Sequence, residues 1–130
     1  MYLVDTNILS ELARPEPDPG VLAWASEISH VAVSVITAEE LYFGLAWKPR
    51  PKVRAWVEAF LDQHCDLLPI TLEIARSAGE LRGRLRAQGV NRSQADILIA
   101  ATAQAHDLIL VTRNARDFEH CPVRLLDPFG

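Results

Sequence analysis

Two rhythms of apolar and polar positions alternate along the 130 residues of the chain. Short apolar runs with β-branched residues, "YLV" from Tyr2, "HVAVSVI" from His30, "LILVT" from Leu108 and "VRLLD" from Val123, read as strands. Between them, apolar residues recur at helical spacing. Helices are predicted at "NILSEL", at "PGVLAWASEI", from Thr37 through "AEELYFGLAW", and at "KVRAWVEAFLDQH", where Val53, Val57, Phe60 and Leu61 share a face. Further helices follow where Ile74, Ala78, Leu81 and Leu85 recur up to Gly89, and at "SQADILIAATAQAH", apolar nearly all round and therefore buried. The punctuation agrees: Asp18 before Pro19 has the form of an N-cap with proline at the first helical position, Thr71 of a cap, and the prolines of "KPRP" of a helix stop. "DLLPI" reads as a short strand whose proline puts it at an edge or an end. Strand and helix in alternation argue for parallel βαβ units in a single domain over residues 1–130, with no repeat and no linker.

Parallel strands all leave the sheet at one edge, where ligands bind in open α/β folds. Four acids fall at strand ends or in the helix turn after one. Asp5 follows the first strand, Glu40 lies three residues past Thr37, Asp96 three past Ser93, and Asp117 sits in "TRNARDF" after the fourth strand. Two readings stand for them. Asp5 caps the next helix, and Thr37-x-x-Glu40 and Ser93-x-x-Asp96 are capping boxes; or the acids converge. Two carboxylates about 4 Å apart repel by roughly 4 kcal/mol at an effective dielectric near 20, so a convergent set calls for a cation. With oxygen donors only, that cation is Mg²⁺ or Mn²⁺ rather than zinc. Glu39, next to Glu40, reads as a solvated neighbour, and His30, His64, His106 and His120 have no metal-ligand spacing.

Composition narrows the setting. Apolar residues make up 49% and charged residues 23%, an ordinary globular balance, and no run approaches the ~18 apolar residues of a membrane span. Cys65 and Cys121 lack a redox or zinc spacing, which favours reduced thiols and a cytoplasmic setting. The formal charge of −4 offers no overall attraction to nucleic acid, but eleven of the thirteen basic residues are arginine. Arg113 and Arg116 flank the last acid, and Arg92 precedes Asp96, where they can bind substrate phosphate. Arg82 and Arg86, one helical turn apart, read as a solvated face.

"VDTNILSEL", "SVITAEELYFGL" and "SQADILIAATAQAHDLILVTRNARDFE", in this order and over nearly the whole chain, resemble the PIN-domain ribonucleases of the VapC toxin type. The resemblance implies a three-layer α/β/α sandwich around a mostly parallel sheet of four or five strands, and Mg²⁺- or Mn²⁺-dependent cleavage of RNA leaving 5′-phosphate and 3′-hydroxyl ends. It maps metal ligands onto Asp5, Glu40 and Asp96, and the fourth acidic position onto Asp117 with Asn114 assisting. Thr6, Asn7, Ser34 and Thr112 match small polar positions that support the ligands or hold water. Silencing by a co-expressed VapB-like antitoxin is also implied. The crowding of Tyr42, Phe43, Leu45 and Trp47 suits a groove for an amphipathic antitoxin helix or a homodimer face, whereas Trp24 and Trp56 read as core or interface. Two rivals remain: a haloacid-dehalogenase-like phosphatase with Asp5 as nucleophile, which needs an acid where Asn7 stands, and a non-catalytic PIN-fold RNA-binding module.

Overall fold

Strand β1 (Tyr2–Val4) lies at the middle of the sheet, between β2 (Val31–Ser34) and β4 (Ile109–Val111). The computed structural model describes residues 1–130. Outside this trio stand β3 (Cys65–Leu68) beside β2 and β5 (Leu125–Leu126) beside β4, in the order β3-β2-β1-β4-β5, and every pairing is parallel. The expected edge position of "DLLPI" is met: β3 is an edge strand that ends just before Pro69.

The sheet is covered on both faces, as parallel strands require. Successive residues of a strand point to opposite sides. Val4, Val31, Val33 and Val111 face a layer made by α1 (Thr6–Leu12), α2 (Pro19–Ser26), α3 (Val35–Trp47) and α4 (Pro51–Gln63), where Ile8, Leu9, Val21, Leu41, Leu45 and Val57 complete the core. Leu3, Ala32 and Leu110 face the other way, toward Ile99, Ala100 and Ala103 of α6 (Gln94–Ala105) and Phe118 of a short 3-10 turn (Ala115–Phe118). Helix α5 (Leu72–Ala87) closes this side by laying Ile74, Ala78, Leu81 and Leu85, the stripe expected from spacing, against Ile97 and Ala101. Trp24 meets Tyr2 edge-on and Trp56 stacks on Phe60, so both serve packing.

Most caps follow the sequence. Asp18 accepts from the N–H groups of Gly20 and Val21, and Thr71 from that of Ile74. One boundary is corrected. Helix α3 starts at Val35 instead of Thr37, because the buried hydroxyl of Ser34 takes the Ile36 N–H at 3.1 Å and caps the helix as soon as β2 ends. Thr37 is thereby drawn inside the helix and fully buried, so the Thr37–Glu40 box does not form.

Between α5 and α6 the chain reverses at Gly89, whose φ of 83° places it in the left-handed region. Two bonds close the end of α5, Gly89 N–H to Arg86 O and Val90 N–H to Leu85 O, the Schellman pattern with glycine at C′. A Cβ at Gly89 would meet nothing within 4 Å, so only the backbone conformation opposes a side chain there. Gly89→Ala should therefore cost about 1–2 kcal/mol in urea denaturation, without a steric contribution; a neutral result contradicts the strain assigned to this turn.

Candidate active site

The first strand delivers Asp5 to the carboxyl edge of the sheet, where its side chain is 5% exposed. Its Oδ1 accepts the Thr6 N–H at 2.8 Å, which makes Asp5 the N-cap of α1. Its Oδ2 accepts from the Thr112 hydroxyl at 2.8 Å and the Asn7 amide at 3.1 Å. Asp5 therefore caps a helix, as one of its two readings had it, and is also aimed by a residue 107 positions away. Thr112, fully buried just after β4, takes the Asn114 N–H at 3.0 Å, while Asn7 Oδ1 takes the Arg113 N–H at 3.0 Å. The two chain segments that leave β1 and β4 are thus joined side by side.

Glu40 comes from α3. Its Oε1 accepts the Thr6 hydroxyl at 2.6 Å, and the Thr37 hydroxyl lies 3.4 Å from that of Thr6. Glu39 is exposed, as expected of a solvated neighbour. Asp96 sits in the first turn of α6, its N–H capped by Ser93 Oγ at 3.1 Å, with no bond returning from its carboxylate to the Ser93 N–H. Burial pushes the Asp96 carboxyl above its ordinary pKa; the charges of Asp5, Asp117 and Glu40 push the same way, against a lowering from the Ser93 hydrogen bond. Three acids scattered through the sequence therefore act on Asp96.

Asp5, Glu40 and Asp96 line one open cleft of roughly 530 Å³ with Thr6, Asn7 and Asn114. Asp117, exposed on the 3-10 turn, lies outside this lining, and its charge reaches Asp96. Ser34 is buried as the cap of α3 and does not line the cleft. The cleft contains neither His nor Cys, and no three acids close into a compact chelate. Its donor set is one of hard oxygens held apart, which matches a cation that keeps several of its own waters.

Of the arginines expected to face substrate, Arg113 lines the cleft. Arg116 does not, and Arg92 turns its guanidinium toward the carbonyls of Asn91 and Glu119. Arg14 and Arg50, which sequence reasoning passed over, line it instead. They stand in proline-rich loops that carry no local sign of returning to this edge. Arg14 is engaged by Glu11, whose two oxygens accept from Nη1 at 3.0 and 2.9 Å. The backbone N–H of Asp18 holds the Glu11 carboxyl below the ordinary range despite its burial, with help from Arg14. Arg50 and Arg113 have no carboxylate partner. Phe129, also unforeseen, forms part of the wall.

Comparison with known proteins covers nearly the whole chain. The family model described as "PIN domain" matches residues 2–123. The chain is 36% identical to the VapC ribonuclease Y4jK of Sinorhizobium fredii, over 99% of this chain and 98% of that one. It is 31% identical to Toxin FitB of Neisseria gonorrhoeae, over 99% of each. Among solved structures it is similar to FitAcB from Neisseria gonorrhoeae, with a TM-score of 0.84, 32% identity and 98% of each chain covered. It is also similar to the DNA-bound VapBC of Salmonella typhimurium, with a TM-score of 0.84, 28% identity and coverage of 97% and 96%.

The raised pKa of Asp96 has a consequence for stability. The folded state holds this proton more tightly than the unfolded chain, so the contribution of Asp96 to stability falls as pH rises from the unfolded to the folded pKa. Above that window the full penalty remains. Asp96→Asn should therefore raise the melting temperature of EDTA-treated protein at pH 7, and the gain should disappear below the ordinary carboxylate range. An unchanged or lower melting temperature at pH 7 contradicts the penalty that burial and the neighbouring charges place on the Asp96 carboxyl.

Proposed function

The chain belongs to the PIN domain family, and on that premise we propose that it is a metal-dependent endoribonuclease and the toxin of a toxin–antitoxin pair. The observation that carries this reading is the convergence of Asp5, Glu40 and Asp96 in one cleft at the carboxyl edge of a parallel sheet, with unpaired Arg50 and Arg113 lining the same cleft. The relatives named as VapC ribonuclease and toxin support it.

In this reading Asp5 and Asp96 would hold Mg²⁺ or Mn²⁺, assisted by Glu40 and Asp117, and the ion would supply a more acidic water and a counter-charge for the phosphate. The chain's own residues do the rest. Thr112 and Asn7 fix the direction of the Asp5 carboxylate, and Thr6 fixes that of Glu40. Arg113 and Arg50 draw the polyanion in against the field of the acids. Asn114, its N–H tied to Thr112, keeps its amide beside the acids.

The phosphatase reading is disfavoured by Asn7. That position needs a second acid, and here it holds an amide that donates to Asp5. A merely RNA-binding module has no use for acids brought together at a cost.

The antitoxin has a groove to fill. Between α1, α3 and α4 lies a depression of roughly 300 Å³ lined by Leu41, Leu45, Trp47, Val53 and Val57. It shares Thr6, Ser10, Arg14, Glu40 and Arg50 with the acid cleft, so an amphipathic helix seated there lies directly beside the acids. Trp47 is 70% exposed and Phe43, its ring 6.3 Å away, 63%. A second copy of the chain is the other proposed partner; Leu67 and Leu72 are exposed and belong to neither depression. The reading puts the protein in the cytoplasm with its RNA, in keeping with two free thiols; no helix is long and apolar enough to cross a membrane.

Asp5→Asn and Asp96→Asn should each abolish RNA cleavage in the presence of Mg²⁺ or Mn²⁺ while the circular dichroism spectrum is kept, and EDTA should silence the parent protein. Full activity in both variants defeats the assignment. Thr112→Val, which removes only the hydroxyl that aims Asp5, should lower activity about 10–100-fold. Trp47→Ala should weaken binding of the co-expressed antitoxin by about 2 kcal/mol or more in calorimetry; unaltered affinity moves the antitoxin elsewhere.

A further inference from the structure

Phe129 reaches the acid cleft from a strand-free stretch, residues 127–130, that adds no other side chain to it. The ring lies under Arg113, with the guanidinium carbon 4.5 Å from its centroid. Three contacts hold the stretch in place. The Phe129 N–H donates to Asp127 Oδ1 at 3.0 Å, and the Gly130 N–H donates to Asp18 Oδ1 at 3.1 Å. Gly20 supplies the third: a Cβ there would lie 2.6 Å from Gly130 N and would overlap the Pro128 carbonyl oxygen, so only glycine admits this approach. Asp18 ties the arrangement to the start of α2 through Gly20 and Val21, and its own N–H donates to Glu11. Its carboxyl is held below the ordinary range, chiefly by the Gly130 N–H.

Arg113 is fixed at its backbone by Asn7, and no carboxylate closes an ion pair on its head; the charge of Asp18 reaches it from farther off, and the ring is the group that touches its guanidinium. An unrestrained arginine loses rotamer freedom when it grips a ligand. A guanidinium lying on a ring has part of that freedom removed beforehand. Stacking also uses its face and leaves the in-plane N–H donors open to a phosphate.

Building on the nuclease reading above, we infer that Phe129 is a positioning residue that holds Arg113 as the phosphate grip for the RNA strand entering the cleft, and that Gly20 and Asp18 are the seat that keeps Phe129 there.

The test is binding of a fluorescein-labelled single-stranded RNA, followed by anisotropy across a salt series, in an Asp96→Asn background that does not cut the probe. Phe129→Ala should weaken binding about two- to fivefold, the size of a partly exposed cation–π contact. Phe129→Leu, which keeps an apolar side chain of similar bulk, should be equally weak, and Phe129→Tyr should restore the parent affinity. Arg113→Ala should make the dependence of log affinity on log salt shallower by about 0.7, one phosphate contact on a single strand. Adding Phe129→Ala to Arg113→Ala should then change little, because the ring acts only through the guanidinium. Unchanged or tighter binding by Phe129→Ala, full additivity of the two substitutions, or parent affinity in Phe129→Leu overturns the inference. RNA cleavage by the parent protein is scored separately. Its absence removes the nuclease reading, whereas the binding cycle still decides whether Phe129 acts through Arg113.

Discussion

The hydrogen bond between Thr112 and Asp5 is the interaction on which the rest of the molecule turns. A carboxyl group removed from water costs several kcal/mol unless its oxygens find donors, and Asp5 is buried. Its donors come from its own helix, at Thr6 and Asn7, and from across the sheet, at Thr112. That last contact requires β1 and β4 to be parallel neighbours in the register that sets Val4 against Val111, so that the next residue of each strand meets the other. A one-residue slip would point Thr112 to the opposite face and leave Asp5 Oδ2 with the Asn7 amide alone. The functional side chain and the sheet register are thus one constraint seen twice.

From that anchor the cleft follows. The chain goes one way from β1 to β2 and the other way to β4, and the crevice opens where the order reverses, beyond the carboxyl ends of the strands. Burial, and then the charges of the other acids collected there, raise the proton affinity of Asp96. The cleft also treats its arginines unequally. Arg14 is held at Nη1 by both oxygens of Glu11 and acts as structure, whereas Arg113 rests on a ring that leaves its hydrogen-bonding edge unspent. Two cations in one cleft have been given different work by what lies beneath them.

What was legible in the sequence was local or periodic. The Asp18–Pro19 start, the Thr71 cap, the stripe along α5 and the buried character of α6 each depend on residues within a few turns, and all four are found. The start of α3 was displaced because Ser34 and Thr37 are both competent caps. The hydroxyl nearer the end of the strand takes the helix, and no propensity distinguishes them in advance. The acids Asp5, Glu40 and Asp96 were legible as a set, since parallel strands oblige strand ends to meet. The basic and aromatic parts of the cleft were not. Arg14 and Arg50 sit in proline-rich loops, and Phe129 lies on a stretch whose course is set by a bare glycine at position 20 and a carboxylate at 18, far away along the chain. Such long-range closures leave no periodic trace.

The placing of β1 in the centre has a consequence in time. Strands β1, β2 and β3 with their helices can associate from the first half of the chain, but one long side of β1 stays bare until β4 is made. Pairing across so great a separation is slow to form, because the ends of a long loop must find each other first. Until Asp96 and then Thr112 have been added, Asp5 has neither the hydroxyl across the sheet to hold it nor the acid that α6 brings to its cleft. The carboxyl edge of the sheet therefore cannot assemble until the chain has passed β4.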